Sequence, residues 1–409
     1  MKVFEQHPHW PSVLKVCQTL NQHKFKAWLA GGCVRDAIRN VSPQDFDVAT
    51  DATPDQVQKI FPKSVDVGKA FGVIVLPFEG FQVEVATFRR DGTYQDGRRP
   101  DKVEFSTPEE DAKRRDFTVN ALFYDPVTKQ IHDFVAGRQD LQAGLLRCVG
   151  KPEVRFGEDR LRILRGVRFA AQLGYKIDPP TYAAMKALSK TVAQVSEERV
   201  FDEMWKLLKS PQVSVGLKLL QETGLLAVTV PELAQLEPTF YWERTKKIFE
   251  LIGDPKTDHE GVLFSLFLMH AYDTHRKNFS AGEALLKRWK VSNALKAEVV
   301  GFVKTFWEMS LHPTTLAQKR RAVAQYRQPF LMFLERTAVL YPVEKLVAEL
   351  KTLPLELPPP FLTGEDLKNV GVPPGPLMGQ LLLQAMDLQL EGLLNSKPRA
   401  ESWLKRQIK

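Results

Sequence analysis

The sequence predicts an α+β protein, with a small mixed β-sheet and helices in its N-terminal part and helices alone beyond it. Short runs rich in β-branched and aromatic residues, at 25–30, 65–76, 81–88 and 103–105, alternate with helix-start signals over the first 143 residues. From about Leu145 onward, apolar residues recur at helical spacing almost without a break. At 409 residues the chain exceeds one ordinary core, so several packed units are expected.

The bulk composition narrows the class. With 44% hydrophobic and 26% charged residues the chain reads as soluble and globular, and no apolar run is long enough to span a bilayer. Its first residues, Met1-Lys-Val-Phe-Glu-Gln-His-Pro8, lack the apolar region and cleavage site of a signal peptide. Cys17, Cys33 and Cys148 are scattered and without metal-ligand spacing, so reduced thiols in a cytoplasmic protein are expected. The net charge of +8 is a modest pull towards a polyanion.

Phe25 to Ala30 reads as a strand running into the Gly31-Gly32 turn, followed by a short helix and a second strand carrying Asp45 and Asp47. Thr53 and Pro54 supply the cap and first residue of a helix that stops before Pro62. Val65–Leu76 and Phe81–Phe88, joined by a Pro/Glu/Gly turn, predict a hairpin with Val83, Val85 and Thr87 on one face and Glu84 on the other. Residues 89–102 form a polar loop, and Val103–Phe105 another strand. A helix is expected from Thr107 through Leu122, then a short edge strand at Ile131–Phe134.

Further helices are expected at Glu158–Leu173, Glu197–Leu208, Val213–Thr223, Trp242–Ile252, Gly261–Asp273, Ala281–Lys290 and Leu295–Leu311. The Pro-rich run Leu353–Pro360 reads as a stiff connector to a small tail unit, whose last residues, Lys397–Lys409, are basic. No fixed-period repeat is present, nor any HExxH, Ser-His-Asp, CxxC or Walker-type motif, and His259 and His270 read as structural or surface histidines.

Residue chemistry concentrates in a few places. Side chains two apart on a strand share a face, so Asp45 and Asp47 point at one spot while Phe46 points into a core. Clustered carboxylates repel unless a cation is shared, and hard oxygen ligands suit Mg²⁺. Gly31 and Gly32 allow close backbone approach, and the helix after them offers free N–H groups to a phosphate. A metal-binding pair beside a phosphate cradle suggests phosphoryl or nucleotidyl transfer. Glu84, mid-strand, is a candidate third carboxylate, though an exposed strand residue would look the same.

Arg35 is placed to grip a phosphate, with Asp36 to orient it, unless the two form a surface ion pair. In the expected helix, Arg114 and Arg115 cannot share a face, so one would reach a triphosphate and the other would pair with Asp116 or Glu110; a solvated helix face fits as well. On the expected Glu158–Leu173 helix, Asp159 and Arg162 stand three apart, as neighbours. A carboxylate accepts from an exocyclic amine and a guanidinium donates to a ring acceptor, which matches cytosine and adenine and mismatches uracil and guanine. An intrahelical salt bridge is the plain alternative. Arg160, Arg162, Arg165 and Arg168 give that helix a basic side, a candidate RNA contact together with the C-terminus.

Leu29-Ala-Gly-Gly-Cys-Val-Arg-Asp36 with Asp45-Phe-Asp47, Arg114-Arg-Asp-Phe-Thr-Val-Asn-Ala-Leu122, Glu158-Asp-Arg-Leu-Arg-Ile-Leu-Arg165 and Glu198-Arg-Val-Phe-Asp-Glu203 resemble, in order, the motifs of the class II tRNA nucleotidyltransferase and bacterial poly(A) polymerase family. Leu362-Thr-Gly-Glu-Asp-Leu and Gly371–Gly379 resemble its tail more weakly. The resemblance implies a seahorse-shaped molecule: a nucleotidyltransferase head (1–143), a helical neck with a nucleotide-selecting template (144–209), a helical body (210–350) and an RNA-binding tail (351–409).

It further implies that Asp45 and Asp47 carry Mg²⁺, and that Asp159 and Arg162 select CTP and then ATP. Gly31, Gly32, Arg35, Arg115 and Arg165 correspond to nucleotide-contacting positions, with Asp36, Asp116, Asn120 and Arg168 beside them in the same motifs. The loop 89–102 resembles the flexible loop that helps switch from C to A, and body and tail would hold the acceptor stem and elbow of tRNA. Asn40 stands where the family usually has glycine, a mild departure because Asn tolerates the left-handed conformation.

Val65-Asp-Val-Gly-Lys-Ala-Phe-Gly-Val73 occupies the place where bacterial poly(A) polymerases carry an arginine-rich segment, so it resembles the tRNA-directed type. Enzymes that add two cytidines only tend to lack the flexible-loop motif, whereas a loop is present here. The expectation is addition of the full CCA. A-only addition, poly(A) synthesis, or a catalytically degenerate RNA-binding module are the alternatives.

Overall fold

Among the described residues, nine strands lie within the first 143 positions: β1 (Ala27–Ala30), β2 (Phe46–Thr50), β3 (Val65–Gly68), β4 (Val73–Phe78), β5 (Phe81–Thr87), β6 (Arg89–Asp91), β7 (Val103–Phe105), β8 (Leu122–Asp125) and β9 (Gln130–Asp133). This computed structural model describes residues 1–92, 103–234, 238–256, 258–272 and 278–408. The loop expected at 89–102 therefore lies, from residue 93 on, outside the described residues. Seven strands form one sheet in the order β3-β4-β5-β2-β1-β8-β9, and β6 pairs with β7 apart from it. The sheet is mixed: β2 runs parallel to β5, and the other pairings are antiparallel.

Strand alternation sets the faces as expected. Val83, Val85 and Thr87 are buried and Glu84 is exposed. Phe46 turns into an aromatic cluster with Phe4, His7 and Trp10. The Pro54–Ile60 helix opens on a capping box between Thr53 and Gln56 with Pro54 in its first turn. The 65–76 stretch is not one strand, because a 3-10 turn at Lys69–Phe71 and Gly72, at φ 82°, separate β3 from β4. Asn40 takes φ 61°, the left-handed conformation expected of it.

Two expected helices are interrupted, both at motif residues. The helix from Thr107 ends at Lys113 and does not reach Leu122. Phe117 is extended and bridges Cys148, Thr118–Asn120 form a 3-10 turn, and β8 begins at Leu122. The Phe-Thr-Val run has poor helix propensity, and the bridge gives its backbone another partner. The Glu158–Leu173 helix is two helices, Pro152–Glu158 and Leu161–Leu173, separated by an extended Asp159 (φ −139°, ψ 106°). The Asp159 carboxylate accepts from Leu161 N–H at 3.1 Å, a local bond that competes with helix continuation.

The chain divides into two units, Met1–Thr229 and Val230–Lys409. In the first, Leu161–Leu173 packs against the helices Glu197–Leu208 and Val213–Glu222. In the second, Glu260–Leu268, Asn293–Leu311 and Leu316–Thr337 pack together, burying Phe264, Phe302, Phe306, Phe330 and Phe333. The Leu316–Thr337 and Glu344–Lys351 helices lie beyond those expected; the first contains Pro329 and a non-helical Arg327. The tail keeps a core of its own around Leu362, Leu367, Leu381, Leu394 and Leu404, and the Pro-rich run before it is exposed and irregular.

His270 is structural as expected, buried between Thr245 Oγ1 and Tyr341 Oη at 2.8 Å each, and His259 sits at a helix N-cap. The three cysteines are free and buried. Among the described residues no helix is long and apolar enough to cross a membrane.

Candidate active site

β1 ends at Ala30; Gly31 follows with a φ of 73°, open to glycine and strained for other residues, and the Gly32–Ile38 helix starts at once. The turn is crowded: a Cβ at Gly31 would lie 2.9 Å from Arg115 Nη1 and 4.0 Å from the Asp47 carboxylate. The glycine thus brings the backbone, a guanidinium and an acid together. Arg115 is held over the Phe123 ring and donates to Asn120 O at 3.2 Å.

Asp47, on β2, is flanked by Glu84 because the parallel pairing of β2 and β5 puts the two in register. Asp45, exposed, directly precedes β2. Burial, then the charges of Glu84 and Asp45, push the Asp47 carboxyl up to about 6 against the pull of Arg115. The Cys33 thiol beneath is pushed up to about 12, by burial and then by Asp47. These hard oxygen donors gathered around one half-buried acid fit a divalent cation. Asp45 and Asp47 are the residues that would hold it, although no cluster of three or more ligating side chains occurs among the described residues.

Arg35 does not offer its fork to a ligand. It is 4% exposed, spends Nε and Nη2 on Asp36 at 2.8 and 2.9 Å, and gives Nη1 to Asn120 Oδ1 at 2.6 Å. Neither a free phosphate clamp nor a surface pair describes it; it is a buried brace. Arg114 and Arg115 share a third acid, Asp111, through bonds of 2.6–3.2 Å. Asp116, one of the expected partners, lies beyond the end of the helix and pairs with Arg165 instead.

Asn120 passes the chain of contacts on, donating to Asp116 at 3.2 Å, and Asp116 accepts from Arg165 at 2.7 Å. Burial disfavours the Asp116 charge, but Arg165 and the Asn120 hydrogen bond outweigh it and hold the carboxyl well below the usual range. Glu203 closes the network, 3.5 Å from Arg165 and 2.5 Å from Arg168, whose guanidinium also stacks 3.7 Å from the Phe169 ring centroid. Arg162 and Arg168 are 9% and 7% exposed, so the basic side of this helix is largely internal and is not the solvent-facing RNA surface expected of it.

Asp159 and Arg162 do not pair with each other. Asp159 Oδ2 accepts from Arg199 at 2.8 Å, and Arg162 Nη1 donates to Glu158 at 2.7 Å and to Arg155 O at 3.1 Å. The intrahelical salt bridge is thereby excluded, and so is the helical spacing on which the pairing rested. Asp111, Glu203 and Arg199 went unrecognised as partners. The Asp111 spacing to Arg114 and Arg115 was a readable signal, whereas Glu203 and Arg199 act across 35 and 40 residues.

The chain is similar to known proteins along most of its length. Residues 27–147 match the family described as "Poly A polymerase head domain", and 174–236 the one described as "Probable RNA and SrmB- binding site of polymerase A". The chain is 43% identical over 229 residues to the CCA-adding enzyme of Geobacillus thermodenitrificans, a match spanning 56% of each chain. It is 33% identical over 396 residues to that of Enterococcus faecalis, covering 93% of this chain and 92% of the relative. The crystal structure of the Bacillus stearothermophilus CCA-adding enzyme in complex with CTP superposes with a TM-score of 0.79 at 28% identity, over 98% of both chains. The fold, the order of the motifs and full-length similarity agree: this chain belongs to the class II family of CCA-adding enzymes and bacterial poly(A) polymerases.

Proposed function

We propose that the protein adds CCA to the 3′ end of tRNA from CTP and ATP, in the cytoplasm, with Mg²⁺ as its metal. The observation that carries this is the convergence of Gly31, Asp47 and Arg115 at one turn, in a chain similar along its length to CCA-adding enzymes. Asp45 and Asp47 would hold two Mg²⁺ ions, which would supply charge neutralisation at the triphosphate and a lowered pKa for the 3′-hydroxyl that attacks the α-phosphate.

The chain's own residues do the rest. The backbone at Gly31 and Gly32 lets a triphosphate approach, and Arg115, braced by Asp111, faces its charge. Glu84 shares the acidic spot with Asp47 and serves as the third carboxylate. Arg35, Asp36, Asn120, Asp116, Arg165 and Arg168 fix the floor of the nucleotide site through the buried network. Asp159 accepts from the exocyclic amine of cytosine or adenine and Arg162 donates to a ring acceptor, each held in place by its own partner. We divide the chain into head 1–143, neck 144–209, body 210–350 and RNA-binding tail 351–409. Exposed basic side chains of the C-terminal Lys397–Gln407 helix, such as Arg399 and Lys405, suit contact with a phosphate backbone.

Replacing Asp45 and Asp47 together by Ala tests the assignment. Nucleotide incorporation should be abolished while tRNA binding, read by filter retention, persists. Retained incorporation would end this reading, and incorporation absent from the unaltered protein as well would favour the RNA-binding module.

A further inference from the structure

We propose that Arg199 is a positioning residue for base selection, setting the orientation of the Asp159 carboxylate. The inference rests on the reading of Asp159 as a base-contacting acid. Asp159 lies between two helices on extended backbone, so no helical neighbour fixes its side chain. Two bonds do so instead: Oδ1 accepts from Leu161 N–H at 3.1 Å, and Oδ2 from Arg199 Nη2 at 2.8 Å. The first is local and moves with the turn. The second comes from another element, and so determines where the carboxylate stands relative to the rest of the site.

The element behind Arg199 is packed against the Leu161–Leu173 helix. Its helix, Glu197–Leu208, is anchored by buried Val200, Met204, Leu207 and Leu208. Glu203, one turn after Arg199 and therefore on the same side, is bonded to Arg168 at 2.5 Å. The helix thus grips the neighbouring segment at two points, Asp159 just before the Leu161–Leu173 helix and Arg168 within it. Arg162 has a separate set of partners in Glu158, Arg155 O and Arg114 O. None of these three bonds involves Arg199, which aims the acceptor. Both Asp159 and Arg199 remain partly exposed, at 16% and 23%, so the carboxylate keeps a face for a ligand.

A carboxylate that discriminates by accepting from an amine loses discrimination when it can turn away, because uracil is rejected through the geometry of that acceptor. The test compares the full-length protein with Arg199→Ala, Arg199→Lys, Asp159→Ala and the Asp159/Arg199 double Ala variant. The readout is the ratio of kcat/KM for CTP over UTP on tRNA lacking its 3′ end. Arg199→Ala should lower that ratio by about tenfold or more, the loss of one charge-assisted hydrogen bond. Arg199→Lys should restore most of the ratio, and Arg199→Ala should add nothing once Asp159 is already Ala.

If Arg199→Ala leaves the ratio intact while Asp159→Ala lowers it, the positioning role is wrong and the base-reading assignment survives. If neither lowers it, the assignment itself fails and the proposal falls with it. If Arg199→Ala lowers the ratio equally in the Asp159→Ala background, Arg199 acts through something other than Asp159, and the proposal is overturned. Should circular dichroism show Arg199→Ala unfolded, Arg199→Gln carries the same comparison.

Discussion

Glu203→Ala gives the sharpest test of how the buried network of Asp116, Arg165, Arg168 and Glu203 is held together. Glu203 is 3% exposed and accepts from Arg168, itself 7% exposed, at 2.5 Å, with Arg165 at 3.5 Å. Removing the acid strands Arg168 as a charge inside the protein, where its remaining polar contact includes Gln172 at 2.8 Å. Breaking a buried pair from one side costs about 3–5 kcal/mol. For a unit of the size of Met1–Thr229, each kcal/mol lowers Tm by about 2–4 °C, so the midpoint should fall by about 6–20 °C. The assay is thermal unfolding followed by circular dichroism. Exchanging both partners for apolar residues, Glu203→Met with Arg168→Met, should recover most of the loss, because it strands no charge. A midpoint within about 2 °C of the unaltered protein for Glu203→Ala would refute the idea that this network is load carrying in the folded state.

Two further outcomes follow from single residues. Gly31→Ala combines a left-handed backbone, costing roughly 1–2 kcal/mol for an L-residue, with a Cβ 2.9 Å from Arg115 Nη1. It should raise the KM for both nucleotides more than it lowers Tm; equal KM values in steady-state kinetics would contradict the cradle. His270 is pushed down to about 3, by burial and then by Arg244, so it is neutral in the folded protein at neutral pH. The unfolded chain takes up a proton at His270 as pH falls below about 6.5 and the folded one does not, so its stability contribution is complete above 6.5 and declines by about 1.4 kcal/mol per pH unit below it, down to about 3. Urea unfolding at stepped pH should show a shallower acid slope in His270→Gln, and an unchanged slope would contradict this.

What could be read from the sequence was what lies close along the chain. Gly31, Asp45 and Asp47 fall within one turn, helix and strand, and the two-residue period of a strand fixes their common face with Phe46 opposite. Glu84 was readable as an outward-facing strand position, but its register opposite Asp47 needs the parallel pairing of β2 with β5, which no local pattern encodes. The contacts Arg35–Asn120, Arg165–Asp116 and Arg168–Glu203 span 85, 49 and 35 residues and follow from tertiary packing alone.

The two helices drawn too long failed for a shared reason. Helical periodicity continued through Asp116 and Asp159, while an alternative partner, an isolated bridge from Phe117 to Cys148 in one case and the Asp159 carboxylate in the other, took the backbone elsewhere. Those breaks changed the chemistry of the site. They turned Asp116 into a buried link between Asn120 and Arg165, and separated Asp159 from Arg162. In the opposite direction, Pro329 concealed a helix that runs from Leu316 to Thr337 with a break in conformation at Arg327.

The most direct measurement is the sequence of the product. A tRNA transcript ending one base before CCA, incubated with the protein, Mg²⁺, CTP and ATP, should be extended by C, C and A and then stop, and chelation of the metal should leave it unextended. A long adenylate tract, addition of A alone to a CC end, or no extension at all would contradict the account.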